Sequence, residues 1–194
     1  MSKIILDLCG GTGSWSKPYK ENGYDVRVVT LPKNDVREYQ PPENVYGILA
    51  APPCDQFSFA KTTGKPRQLE NAWSIVRACL DIIAQCNSIE SAYSKTTKLK
   101  FWALENPNGL LKRFLGKPAY EFNPYDFGDD YKKKTHLWGW FNDPKKNPIE
   151  CKNVKFDRMK SKDIHPEYFG TLTRKERRAI TPQGFAKAFY EANI

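Results

Sequence analysis

The 194 residues carry 31 Lys and Arg against 22 Asp and Glu, a formal charge of +9. That length suits one α/β domain with a proper core, read here as a single domain over 1–194, and leaves no room for two full ones. Five cysteines without a Cys-x-x-Cys pair, and only His136 and His165 beside them, argue against both a disulfide framework and a structural zinc site, so no metal is expected. No apolar run approaches the roughly 18 residues of a membrane span, and no signal peptide precedes the opening strand, which predicts a cytoplasmic protein with no membrane partner.

Lys3 to Leu8 reads as an apolar strand, Cys9 to Gly13 as a glycine turn, and Ser14 to Asn22 as a short helix stopped by Asn22-Gly23. Asp25 to Leu31 returns as a second strand. A strand, glycine turn, helix and strand in succession open a doubly wound α/β sheet, where ligands sit beyond the carboxyl ends of the strands. Tyr46 to Ala50 is a third strand, ended by Pro52-Pro53, which remove backbone donors and leave Cys54 on a stiff turn. From Gln68 to Cys86, apolar residues at helical spacing predict an amphipathic helix with Cys79 and Cys86 in the core. Asn87 to Lys98 is a polar loop, and Leu99 to Leu104 a further strand ending at Glu105-Asn106-Pro107. The aromatic, turn-rich stretch from Tyr120 to Trp140 and the aperiodic stretch from Asn142 to His165 are expected to be irregular. Thr173 and Glu176 form a capping box, and Thr181-Pro182 begins a last helix whose Phe185, Ala188 and Phe189 share a face.

Positive charge gathers at Lys95 to Lys100, Lys132 to Lys134, Lys145-Lys146, Lys152 to Lys162 and Arg174 to Arg178, mostly in the second half, which favours a nucleic-acid partner over solvated faces. Glycines between a strand and a helix let backbone approach a ligand and aim amides at it. Their spacing in Asp7-Leu8-Cys9-Gly10-Gly11-Thr12-Gly13 is not that of the dinucleotide fold and leaves room for a nucleoside carrying an amino-acid tail.

With Pro52-Pro53-Cys54 followed by Phe57-Ser58, and with Glu105-Asn106 at a strand end, that turn resembles the S-adenosylmethionine-dependent DNA cytosine C5 methyltransferases. The resemblance covers residues 3 to about 110, and more loosely Arg178 to Asn193, where Thr181 to Ala186 stands in place of the closing cofactor-site motif. It implies a doubly wound Rossmann-like fold, with S-adenosyl-L-methionine bound by Asp7, Leu8, Cys9, Gly10, Gly11, Thr12, Gly13, Asp35, Val36 and Pro52. It further implies Cys54 as the nucleophile that adds to C6 of cytosine and Glu105 as the group that holds N3 and the exocyclic amine. Pro53, Ser58, Asn106, Arg67, Lys133, Lys134 and Thr135 are the residues expected against the substrate. The implied partner is double-stranded DNA with the target base flipped out of the stack. Tyr125, Trp138 and Trp140 are read as packing residues in preference to base-stacking ones.

Three departures accompany the match. Thr30-Leu31-Pro32 stands where the family holds the cofactor ribose with an acid. No Gln-x-Arg-x-Arg is present, Lys132 to Thr135 occupying a comparable place. The target-recognition region is reduced to about 142–178, so specificity is expected to be low or set by a homodimer or a specificity partner. A compact member of this kind resembles what a phage encodes to modify DNA against restriction. The alternatives are a catalytically silent nucleic-acid binder on the same scaffold and an RNA cytosine methyltransferase.

Overall fold

The computed structural model describes residues 2–59, 61, 64–87, 99–152, 168 and 170–194. Its strands are β1 (Ile4–Leu8), β2 (Asp25–Val29), β3 (Val45–Ala50), β4 (Phe101–Pro107), β5 (Tyr120–Phe122) and β6 (Thr135–Trp140). Its helices are α1 (Lys17–Glu21), α2 (Leu69–Cys86), α3 (Lys112–Leu115), α4 (Arg174–Ala179) and α5 (Gln183–Ala192). The six strands form one sheet in the order β2-β1-β3-β4-β6-β5. β1 to β4 run parallel, and β6 and β5 close the far edge by antiparallel pairing.

The apolar residues of each inner strand divide between two layers. Leu6, Leu8, Ile48, Ala50 and Leu104 face α2, whose Ala72, Val76, Cys79 and Ile83 are buried against them. Ile5, Leu49, Phe101 and Ala103 face the other way, onto Tyr19 of α1 and Phe185 and Phe189 of α5. Trp15 lies 5.7 Å from Phe185 and 5.4 Å from Phe189, ring centre to ring centre, which ties the turn before α1 to the last helix. Strands buried on both faces under helices on both faces make this a doubly wound, Rossmann-like α/β sheet.

The expected elements recur with shifted ends, and one expectation is corrected. The stretch from Tyr120 to Trp140 is not wholly irregular, because it supplies β5, a short 3-10 turn at Pro124–Phe127, and β6. Thr135 to Trp138 are buried, so β6 lacks the inside-outside alternation that marks a strand in sequence. β6 also lengthens β4: Glu105 pairs with Leu137, Asn106 with His136 and Pro107 with Thr135, so Glu105 and Asn106 stand inside a strand and not beyond its end. The helix expected from Ser14 starts at Lys17, after a turn. The capping box of α4 is formed, with the Glu176 amide donating to Thr173 Oγ1 at 3.3 Å and the Thr173 amide donating to Glu176 Oε2 at 2.7 Å. Residues 141–152 carry no regular structure. The expected loop at 88–98, and residues 153–167 and 169 of the expected recognition region with the basic cluster there, lie outside the described residues.

Candidate active site

Strand order reverses between β1 and β3, the place where an open α/β sheet leaves a crevice at its carboxyl edge. Register sets what meets there. Leu8 is level with Ala50, and Ala50 with Leu104, so the glycine turn after β1, the Pro52-Pro53-Cys54 loop after β3, and Glu105, which continues β4, stand side by side. The Ala51 amide donates to the Leu8 carbonyl at 2.9 Å and holds the first two together.

Asp7 is fully buried beneath the glycine turn, and Ser16 Oγ donates to its Oδ2 at 2.6 Å. Burial pushes its carboxyl up to about 6 against the opposing Ser16 hydrogen bonds, and Oδ1 has no partner. A Cβ on Gly10 would stand 2.4 Å from the Asp7 carboxyl carbon, so only glycine lets the turn lie this low. Cys9 packs on the α2 side of the core. Gly11, at φ 56°, has open space where a side chain would be, in the turn where the cofactor is expected. Ser14 Oγ accepts from the Thr181 amide at 3.0 Å, which brings the segment expected to close the cofactor site against the glycine turn. Val36 is buried in the core, and Asp35 holds Arg37 through hydrogen bonds that keep its carboxyl down at about 2. A cavity of about 590 Å³ flanks the turn at Thr12, Gly13, Ser14 and Gln183 and continues along α1 to Val26 and Val28; Cys54 and Glu105 do not line it.

Hydrogen bonds from within the loop and from its neighbours shape the loop that carries Cys54. The Cys54 carbonyl accepts from the Phe57 and Ser58 amides at 3.0 and 2.8 Å, a tight turn that lifts the cysteine off the strand. Buried Asn106 donates through Nδ2 to the Pro52 carbonyl at 3.0 Å. The Leu110 amide donates to the Phe57 carbonyl at 2.8 Å, an approach so close that a Cβ on Gly109 would lie 2.3 Å from that oxygen. Arg67 spans the outside, donating to the Ser58 carbonyl at 3.0 Å and to the Gln56 carbonyl. Its guanidinium, read from sequence as a substrate contact, is thus engaged in holding the loop. Lys61 Nζ donates to Gln56 Oε1 at 2.8 Å, as does the Gln68 amide at 2.9 Å.

Of the two lysines expected against the substrate, only Lys133 acts on both Cys54 and Glu105. Burial pushes the Cys54 thiol up, the Lys133 charge pulls it down, and Glu105 and Asp55 push it up again. Burial likewise raises the Glu105 carboxyl, and Lys133 opposes the rise. Lys133 Nζ donates to the Arg178 carbonyl at 3.2 Å. Lys134 points elsewhere, pairing with Glu121 at 2.8 Å, and Thr135 is buried with Oγ1 donating to the Lys133 carbonyl at 2.9 Å. Tyr131 is also buried, and burial together with the charges of Asp129 and Glu105 raises its phenol. Nothing in the sequence singled out Tyr131, since its place beside Glu105 depends on the path from β5 to β6. Trp138 is buried, its Nε1 donating to the Gly116 carbonyl at 3.1 Å, whereas Trp140 is 58% exposed.

Among the described residues no group of three His, Cys, Asp or Glu side chains is placed to hold a metal ion, and no helix is long and apolar enough to cross a membrane. No protein-family model matches the chain, and no curated protein matches it. Solved structures similar to it include the Entamoeba histolytica methyltransferase EhMeth, 12% identical, with a TM-score of 0.39 over 80% of this chain and 57% of that one. A DNMT2 mutant from Spodoptera frugiperda is 17% identical, with a TM-score of 0.42 over 71% of this chain and 50% of that one. The chain thus spans 57% of the first protein's length and 50% of the second's.

Proposed function

We propose that the protein is a DNA cytosine C5 methyltransferase dependent on S-adenosylmethionine. The observation that supports this reading best is that the glycine turn, the Cys54 loop and Glu105 stand side by side at the carboxyl edge of the sheet, with Lys133 acting on both Cys54 and Glu105. Cytosine C5 is a poor nucleophile, so the ring must be activated before it accepts a methyl group. The Cys54 thiolate adds to C6, forming the Sγ–C6 bond as the C5–C6 π pair moves toward C5, which becomes enamine-like. Glu105, whose carboxyl is raised by burial, holds N3 and the exocyclic amine and supplies a proton or hydrogen bond as negative charge builds on the ring. Lys133 lowers the cost of the thiolate and faces the same developing charge. Gly10, Gly11, Thr12 and Gly13 hold S-adenosylmethionine, which when bound supplies the electrophilic methyl group. A base, with solvent water sufficing, then takes the C5 proton, and the C5–H pair re-forms the C5–C6 double bond as the Sγ–C6 bond breaks and frees the Cys54 thiolate.

The test is methyl transfer from labelled S-adenosylmethionine to mixed-sequence DNA and, in parallel, RNA, followed by digestion to nucleosides and mass analysis. The expected product is 5-methylcytosine, abolished by Cys54→Ala and reduced to a trace by Glu105→Gln. Comparable product from Cys54→Ala overturns the mechanism. Product in RNA alone assigns the chain to the other nucleic acid, and DNA bound without turnover favours the silent binder.

A further inference from the structure

The catalytic loop does not end at Ser58. Phe59, the next residue, is 48% exposed, and Phe114 of α3 is 53% exposed. The two segments are stitched together, with Ser58 bridged to Gly109 and the Phe59 amide donating to the Asn108 carbonyl at 3.5 Å. Lys112 Nζ lies 5.9 Å from the centre of the Phe59 ring. Phe114 is backed by Trp73 at 5.1 Å and by buried Phe57 at 6.3 Å, so its inner side is packed while about half of it meets water. Leu31, Trp140, Ile149 and Ile194 are exposed as well, but each comes from a separate part of the chain, and scattered apolar residues are ordinary. Two exposed rings and a cation, one of the rings five residues from the nucleophile, are a different feature.

Charge decides what such a surface takes. Residues 54–70 and 108–117 hold six cations, Lys61, Lys65, Arg67, Lys112, Arg113 and Lys117, against two acids, Asp55 and Glu70. An apolar protein face gains nothing from that excess, whereas a polynucleotide offers phosphates to the cations and π-faces to the rings. A base inside a duplex has both faces covered, so a protein ring can stack only on an unpaired one. We propose that Phe59 and Phe114, with Lys112, form a stacking platform for an unpaired DNA base neighbouring the target cytosine. Opened or single-stranded DNA is then the form this surface grips. The inference rests on the functional reading above, and concerns how substrate is held and not how it is methylated.

The experiment is fluorescence anisotropy of the whole chain with a labelled cytosine-containing oligodeoxynucleotide, single-stranded or annealed, and with RNA of the same sequence. Phe59→Ala and Phe114→Ala are each expected to weaken single-strand binding by roughly ten-fold without changing its salt slope, and Phe59→Trp and Phe114→Trp to restore it. Lys112→Ala is expected to lessen the slope of log K on log salt by about 0.7, the release expected for one single-strand phosphate contact. Phe114 also packs on Trp73, so Phe59→Ala serves as the variant least tied to folding. Unchanged affinity in Phe59→Ala, tighter binding of duplex than of single strand, or a strong preference for RNA each overturns the proposal. If ring-dependent binding occurs but 5-methylcytosine never forms, the platform stands and the functional reading fails; methylation indifferent to both rings gives the reverse.

Discussion

At the scale of single residues, Asp7 shows a carboxylate placed for position at a cost in stability. It supports the glycine turn through Ser16, yet is fully buried with one oxygen unpaired and its carboxyl raised to about 6. The folded state therefore binds this proton more tightly than the unfolded chain, so the contribution of Asp7 is best at low pH and declines as pH rises from about 4 through about 6. Asp7→Asn, measured without ligand by thermal melting, is expected to raise stability at neutral pH by on the order of 2 kcal/mol, several degrees in Tm, with little gain near pH 4. An equal gain at both pH values would falsify the buried-charge explanation. Lys133 acts in the opposite sense on Cys54, favouring the thiolate that burial opposes. Lys133→Met is expected to slow alkylation of Cys54 by about ten-fold at neutral pH and to move its pH profile upward, with Lys133→Arg close to the unaltered protein. Peptide mapping by mass spectrometry separates Cys54 from the other four cysteines, and an unmoved profile would remove Lys133 from the site.

The element on which the chemistry depends is the loop from Pro52 to Phe59, because no regular structure holds it. Its conformation comes from outside: Asn106 fastens its entry, Gly109 and Leu110 its middle, and Arg67 its outer side. Charged donors to backbone carbonyls are worth about 1.5 to 3 kcal/mol each. Arg67→Ala is thus expected to free the loop locally, speeding hydrogen exchange at Phe57 and Ser58 by about ten-fold or more while β1 and β3 keep their protection. Methyl transfer is expected to fall with it, through turnover more than through DNA affinity. Loss of affinity alone, with exchange unchanged, would return Arg67 to the phosphate-contact role that its position in the sequence suggested.

For the molecule as a whole, the charge of +9 and the paired layers around the sheet assign different tasks to different parts. The helical layers fix the strand tips, and the surface cations are the groups that the proposed polyanionic partner would meet. DNA affinity is expected to fall by about a hundred-fold between roughly 50 and 200 mM salt, as about four released phosphate contacts require. Titration at four salt concentrations measures the slope, and a flat line would separate binding from the basic surface.

The sequence by itself determined the elements whose signal is local. The strand, glycine turn and helix from Lys3 to Asn22, the periodic helix ending at Cys86 and the Thr173–Glu176 cap were all legible, because apolar spacing and capping chemistry act between near neighbours. The motif residues Cys54 and Glu105 were legible by kind and by order. Only the tertiary structure decided their company. β6 was hidden because burial on both faces erases alternation, and its antiparallel pairing with β4 draws Glu105 and Asn106 into the sheet. That same path delivers Lys133 and Tyr131 to the site and turns Lys134 away toward Glu121, while packing claims Arg67 for the loop. Contacts between residues far apart in the chain depend on strand order and register, which no local stretch of sequence encodes.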